Sequence, residues 1–207
     1  INSGAAFSYS LAGDSDGDGI ADDLDADDDG DGIPDALAEL SALTTAYAET
    51  ASPVNNNPVD KAAAALAKAL DPALWSDSST LTPASSKSAK EIQKELNNAV
   101  AQLGIQMEKN EPDYEAFELV TELLALSREI TVGVIRRAEL YCQGGKKCDA
   151  EIQKAHDLLA DGDYHLVAFF DIDSPGPAST ALVRYPWAQQ AAYKSLDARA
   201  PQGHGAP

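Results

Sequence analysis

Between Asp14 and Asp35 the chain places 11 aspartates in 22 residues, with no lysine or arginine among them. Carboxylates that dense repel one another, so a free segment of this kind expands rather than packs. It reaches a compact shape only around counter-charge. The segment carries −11 of a net charge of −19, leaving the rest of the 207-residue chain with a charge ordinary for a globular body. The overall sign disfavours phosphate backbones and anionic lipid, so nucleic acid is not an expected partner. No run of about 18 apolar residues occurs, so no membrane insertion is expected either.

The aspartates repeat every 13 residues. The first copy runs Asp14-Ser15-Asp16-Gly17-Asp18-Gly19-Ile20, then Asp22, Leu24 and Asp25. The second runs Asp27-Asp28-Asp29-Gly30-Asp31-Gly32-Ile33, then Asp35 and Leu37. A solvated acidic run has no need of glycine and isoleucine at equal offsets, whereas a coordinating loop does. Calcium takes about six to eight hard oxygens in flexible geometry. In a tight loop, carboxylates at the first, third and fifth positions converge on one point. A glycine at the sixth allows the sharp turn, and the seventh offers its backbone carbonyl. The ninth ligates directly or through water, and a carboxylate near the twelfth closes the shell. Magnesium prefers few protein ligands and retained waters, and zinc and copper favour His or Cys, which this segment lacks. The expected cofactor is Ca²⁺, with two ions offsetting part of the acidic charge.

At these residues the sequence resembles thrombospondin type 3 repeats, and in its loop it is similar to EF-hand and dockerin repeats. The likeness covers residues 14–38. It implies that Asp14, Asp16, Asp18 and Asp25, with the carbonyl of Ile20 and with Asp22 acting through water, hold one ion. It implies that Asp27, Asp29 and Asp31, with Ile33 and Asp35, hold a second. The second copy departs at its twelfth position, which is Ala38, with Glu39 one place late. The second ion is then expected either to borrow Asp23, Asp25 or Asp28 or to bind more weakly than the first.

The remainder is expected to be mainly α. The predicted architecture is a helical bundle preceded by an extended N-terminal segment and the calcium-binding loop module. Phe7, Tyr9 and Leu11 alternate with serines, which fits a half-buried strand in residues 1–13; a flexible leader is the competing reading. From Asp35 the pattern turns helical, with Leu37, Leu40 and Leu43 on one stripe. A helical domain over 39–200 carries linkers at 51–60 and 76–88, the latter able to bear O-glycans, and a tail at 201–207. Ser88 and Glu91 have capping-box spacing. Pro112 suits the first turn of the next helix. Asp149 is a candidate cap for a third helix that Gly162 stops. The run from Tyr164 to Phe170 is helix or strand by periodicity alone. Pro186 must kink or split the last helix.

Cys142 and Cys148 flank a glycine pair and can close a small disulfide ring, worth roughly 2–2.5 kcal/mol in the loop-entropy model. Half of a zinc site with His156 is the competing reading. A disulfide fits an oxidising compartment. The start at Ile1 fits a chain whose secretory signal has been removed, or a fragment. Extracellular or cell-surface placement is expected, with the periplasm also compatible. His156, Asp157, Asp161, Asp163 and His165 cluster in sequence, but a surface or capping role explains them. No catalytic constellation can be named. The function that follows is an exported calcium-binding structural or interaction protein. It would be a subunit of a filament or surface assembly that self-associates through residues 1–13. The alternative is a secreted enzyme or binding module that uses calcium only for stability.

Overall fold

Apolar residues recur at helical spacing from Asp35 onward, and the fold follows that pattern. A computed structural model describes residues 15–17, 25–51, 58–77, 81–109, 113–142, 145–172 and 175–197. The expected strand in 1–13 and the tail at 201–207 lie outside these residues. The described residues form six α-helices and one tiny two-stranded ribbon, so the fold is mainly α.

Helix α1 (Asp35–Ala51) buries Leu37, Leu40, Thr44 and Tyr47. That 3-4-3 register turns Leu43 outward to 49% exposure and brings Thr44 inward, where its hydroxyl donates to the Leu40 carbonyl at 2.7 Å. Helix α2 (Pro58–Ala69) begins inside the stretch expected to be loop, because proline is already shaped for a first helical turn. A 3-10 turn (Pro72–Leu74) capped by Asp71 leads into strands β1 (Trp75–Asp77) and β2 (Thr82–Pro83), paired antiparallel. Trp75 is buried there and donates its indole N–H to the Ala69 carbonyl. Most of the stretch expected as a linker at 76–88 therefore belongs to this ribbon and to the start of helix α3 (Ser86–Lys109). Ser85, not Ser88, supplies the cap: its Oγ accepts the Ser88 N–H at 3.1 Å.

Helix α4 (Tyr114–Tyr141) starts after Asp113, which caps it through the Ala116 N–H, and Pro112, expected in its first turn, lies outside the described residues. The same carboxylate accepts the Tyr47 hydroxyl of α1 and the Gln106 amide of α3, tying three helices together. Burial and the neighbouring Asp113 push the Tyr47 hydroxyl pKa well above its usual value. Cys142 and Cys148 are disulfide-bonded, with Cα atoms 6.0 Å apart, across the turn into helix α5 (Lys146–Ile172). Asp149 lies within the first turn of α5 and is not its cap, since its N–H already donates to the Gly145 carbonyl.

Helix α5 runs straight through Gly162, and the run at 164–170 is helix. Glycine here serves packing. A Cβ at Gly162 would sit 2.5 Å from Cε1 of Tyr185 on helix α6 (Pro175–Asp197), so only glycine lets that ring come so close to the helix. Beside it, Arg128 of α4 donates two hydrogen bonds to Asp163 of α5, at 2.9 and 3.0 Å, and Tyr185 adds its hydroxyl at 3.1 Å. The Asp163 carboxylate in turn raises the Arg128 pKa. Pro186 does not split α6. Helix α4 packs against α1, α3, α5 and α6. Leu123, Leu124 and Ile130 place it at the centre of a core shared with Leu66, Ile92, Leu96 and Phe169. Among the described residues no helix is long and apolar enough to cross a membrane.

Gly162→Ala is expected to lower stability by about 1–3 kcal/mol, the usual cost of overpacking. Helix propensity alone favours alanine by about 1 kcal/mol. Urea unfolding followed by circular dichroism separates the two signs.

Candidate metal centre

Alternating aspartates favour short turns in which each carboxylate accepts a backbone N–H two residues on. Residues 25–35 use that chemistry repeatedly. Asp25 accepts from Asp27 at 2.9 Å, Asp29 from Asp31 at 3.1 Å, and Asp31 from Ile33 at 2.8 Å. Asp27 is only 3% exposed, and its two carboxylate oxygens accept the N–H groups of Asp31 and Gly32. The loop then closes on the start of α1. The Asp35 N–H donates to the Ala26 carbonyl, and the Asp35 carboxylate accepts the Asp28 N–H, each at 2.8 Å. Leu37, fully buried two residues later, anchors this clasp to the core.

The result is a convergence of charge. One carboxylate oxygen from each of Asp27, Asp29 and Asp35 lies within 4.8 Å of the other two. Like charges at that spacing repel. The group is oxygen only, with no imidazole or thiolate, so it could hold a metal ion of the hard class.

The glycines show why the loop takes this path. Gly17 and Gly30, at the fourth position of each copy, have φ of +81° and +67°, and Gly32 at the sixth has +87°. The same left-handed conformation thus recurs at the fourth position of both copies. Gly30 also admits a neighbour: a Cβ there would lie 2.9 Å from both Cβ and Oδ2 of Asp16. The first copy thus touches the second through Asp16.

Of the residues expected to bind the second ion, the structure gathers Asp27, Asp29 and Asp35. Asp31 is turned to its own loop, and Ile33 is tied to it through its N–H. Neither Ala38 nor the exposed Glu39 joins the group. Of the first set, Asp16 and Asp25 are described, whereas Asp14, Asp18, Ile20 and Asp22 lie outside the described residues. Spacing arguments single out the sixth-position glycine and pass over Gly30; the available signal is its recurrence as Gly17. The backbone role of Asp28, which donates its N–H to the Asp35 carboxylate, has no sequence signal.

The histidine cluster divides between separate partners. His156 pairs with Glu139 at 2.7 Å, Asp163 belongs to Arg128 and Tyr185, and His165 lies 3.9 Å from Asp161. Comparison of the chain with protein-family models, characterised proteins and solved structures finds no match.

Gly30→Ala combines a left-handed alanine, costing about 1–2 kcal/mol, with a clash against Asp16. Amide hydrogen exchange at Asp31 and Gly32 is expected to speed up about tenfold, with the helical signal unchanged.

Proposed function

We propose that this chain is an exported calcium-binding structural or interaction protein. In this reading Ca²⁺ fixes the segment before α1 as a rigid connector, and the loops act in the manner of thrombospondin type 3 repeats. The observation that carries it is the convergence of Asp27, Asp29 and Asp35 at the helix start, held by backbone N–H groups. Three carboxylates preset by the backbone need little rearrangement to accept an ion, and carbonyls and waters supply the rest of a calcium shell. Calcium suits the site better than magnesium, which demands a near-ideal octahedron and holds its waters.

The position of the loop gives the ion a mechanical role. The second copy is clasped to α1 through Asp35, and Gly30 brings Asp16 of the first copy against it. An ion in this region would fix the direction in which the chain leaves the helical body. The alternating segment Phe7-Ser8-Tyr9-Ser10-Leu11 would then add as a strand to a neighbouring molecule. Such a head-to-tail contact builds filaments or surface layers when it does not close. The Cys142–Cys148 disulfide is compatible with an oxidising, extracellular setting.

Isothermal titration of the full chain is expected to show saturable Ca²⁺ uptake that excess Mg²⁺ does not displace, and Asp27→Ala should remove the uptake that belongs to the second copy. Heat that never saturates contradicts the metal assignment. Removing residues 1–11 should leave a folded chain that no longer forms long polymers in light scattering. Undiminished polymerisation contradicts the strand-addition part alone.

A further inference from the structure

Helix α4 exposes one stripe whose charge inverts along its length. Glu115, Glu118 and Glu122 face solvent in its first half, with no basic residue before Arg128. Past Ala125, Glu129 and Gly133, the same face carries Arg136 and Leu140, with Arg137 at its edge. Lys146 and Lys147 open α5 immediately beyond. Among the described residues, none of Glu115, Glu118, Glu122 and Arg136 takes part in an ion pair.

The acidic half is also a groove. It runs between α1 and α4, has a volume of about 440 Å³, and is rimmed by Glu39 as well as the α4 glutamates. Leu43 of α1, turned outward by the register described above, forms part of its apolar lining at 49% exposure. The basic half offers the matching feature. Leu140 is 80% exposed and sits beside Arg136 and Arg137 at the edge of a second cleft. Isolated surface leucines are ordinary. A leucine flanked by arginines on one half of a helix, with an apolar groove rimmed by glutamates on the other half, is complementary to itself.

We propose that this face of α4 is the interface of a two-fold homodimer, with the two α4 helices antiparallel. The arrangement places Arg136 and Leu140 of each copy over the acidic groove of the other, and one set of contacts is made twice. Ala125 and Gly133, small and partly exposed near the middle, let the helix axes approach closely. The 28 residues of α4 make a strip about 40 Å long. Together with α1 it is about 20 Å wide, which reaches the roughly 800 Å² per partner of a standard interface. Opposed charge sets the orientation, because parallel pairing would stack glutamate on glutamate. The contact uses none of Asp27, Asp29 and Asp35 and closes on itself, so it neither requires calcium nor builds a filament.

The test uses the full 207-residue chain in sedimentation velocity over a dilution series, at low and high salt, with calcium and with EGTA. A dimer that dissociates on dilution and weakens with salt is expected. E118R/E122R and R136E/R137E should each raise the dissociation constant at least about tenfold. An equimolar mixture of the two variants should recover the dimer, since each restores the attraction the other lost. L140D, at a position outside the core, should weaken it by a similar factor and guards against loss of fold in either charge variant. Wild-type protein that stays monomeric at low salt overturns the proposal. So do variants that dimerise like wild type, or a mixture that fails to associate. Loss of the dimer only on calcium removal would also overturn it, without bearing on whether the aspartate loop binds calcium.

Discussion

Mutual repulsion among closely placed carboxylates is the constraint around which the N-terminal part of this molecule is organised. Asp27, Asp29 and Asp35 come within 4.8 Å of one another. What holds them is backbone. The N–H groups of Asp28, Asp31 and Gly32 point at carboxylate oxygens, and the positive end of the α1 dipole lies at Asp35. These donors fix where the charges sit without cancelling them, which is the arrangement a hard cation requires. The left-handed glycines at 17, 30 and 32 make such turns possible. The clasp between Ala26, Asp28 and Asp35 then transmits the position of the loop to a helix whose inner face is wholly buried at Leu37.

The helical body supplies a rigid platform through a few polar joints set in an apolar core. Asp113 links α1, α3 and α4, and Asp163 links α4, α5 and α6. Buried side-chain bonds from Ser127 to Gln93 and from Gln189 to Thr131 add α3–α4 and α4–α6 contacts of fixed register. Leucines tolerate sliding, and these hydrogen bonds do not. Helix α4 takes part in every one of these joints, so its outward face is held in fixed register with its neighbours.

Much of this was legible in the sequence, for identifiable reasons. The 13-residue repeat, the onset of helix at Asp35 and the Cys142–Cys148 ring each follow from local chemistry: fixed offsets, a 3.6-residue period and a short loop. The errors came where a residue answers to a distant neighbour. Gly162 reads as punctuation in one dimension and is a packing site in three, because the ring that needs it is Tyr185 on another helix. Leu43 belongs to an apolar stripe by spacing, yet the register is set by Tyr47 reaching Asp113, which turns the leucine outward.

The central claim is that the carboxylates of residues 27–35 converge to receive one hard divalent ion. Nuclear magnetic resonance reads this residue by residue during a calcium titration of the ¹⁵N-labelled chain. The account predicts that the amides of Asp28, Asp31, Gly32 and Asp35 shift together and saturate, while those in the middle of α3 and α4 stay in place. Shifts spread evenly over all exposed acidic residues without saturation, glutamates of α4 included, would reduce the segment to a diffuse acidic surface and contradict the account.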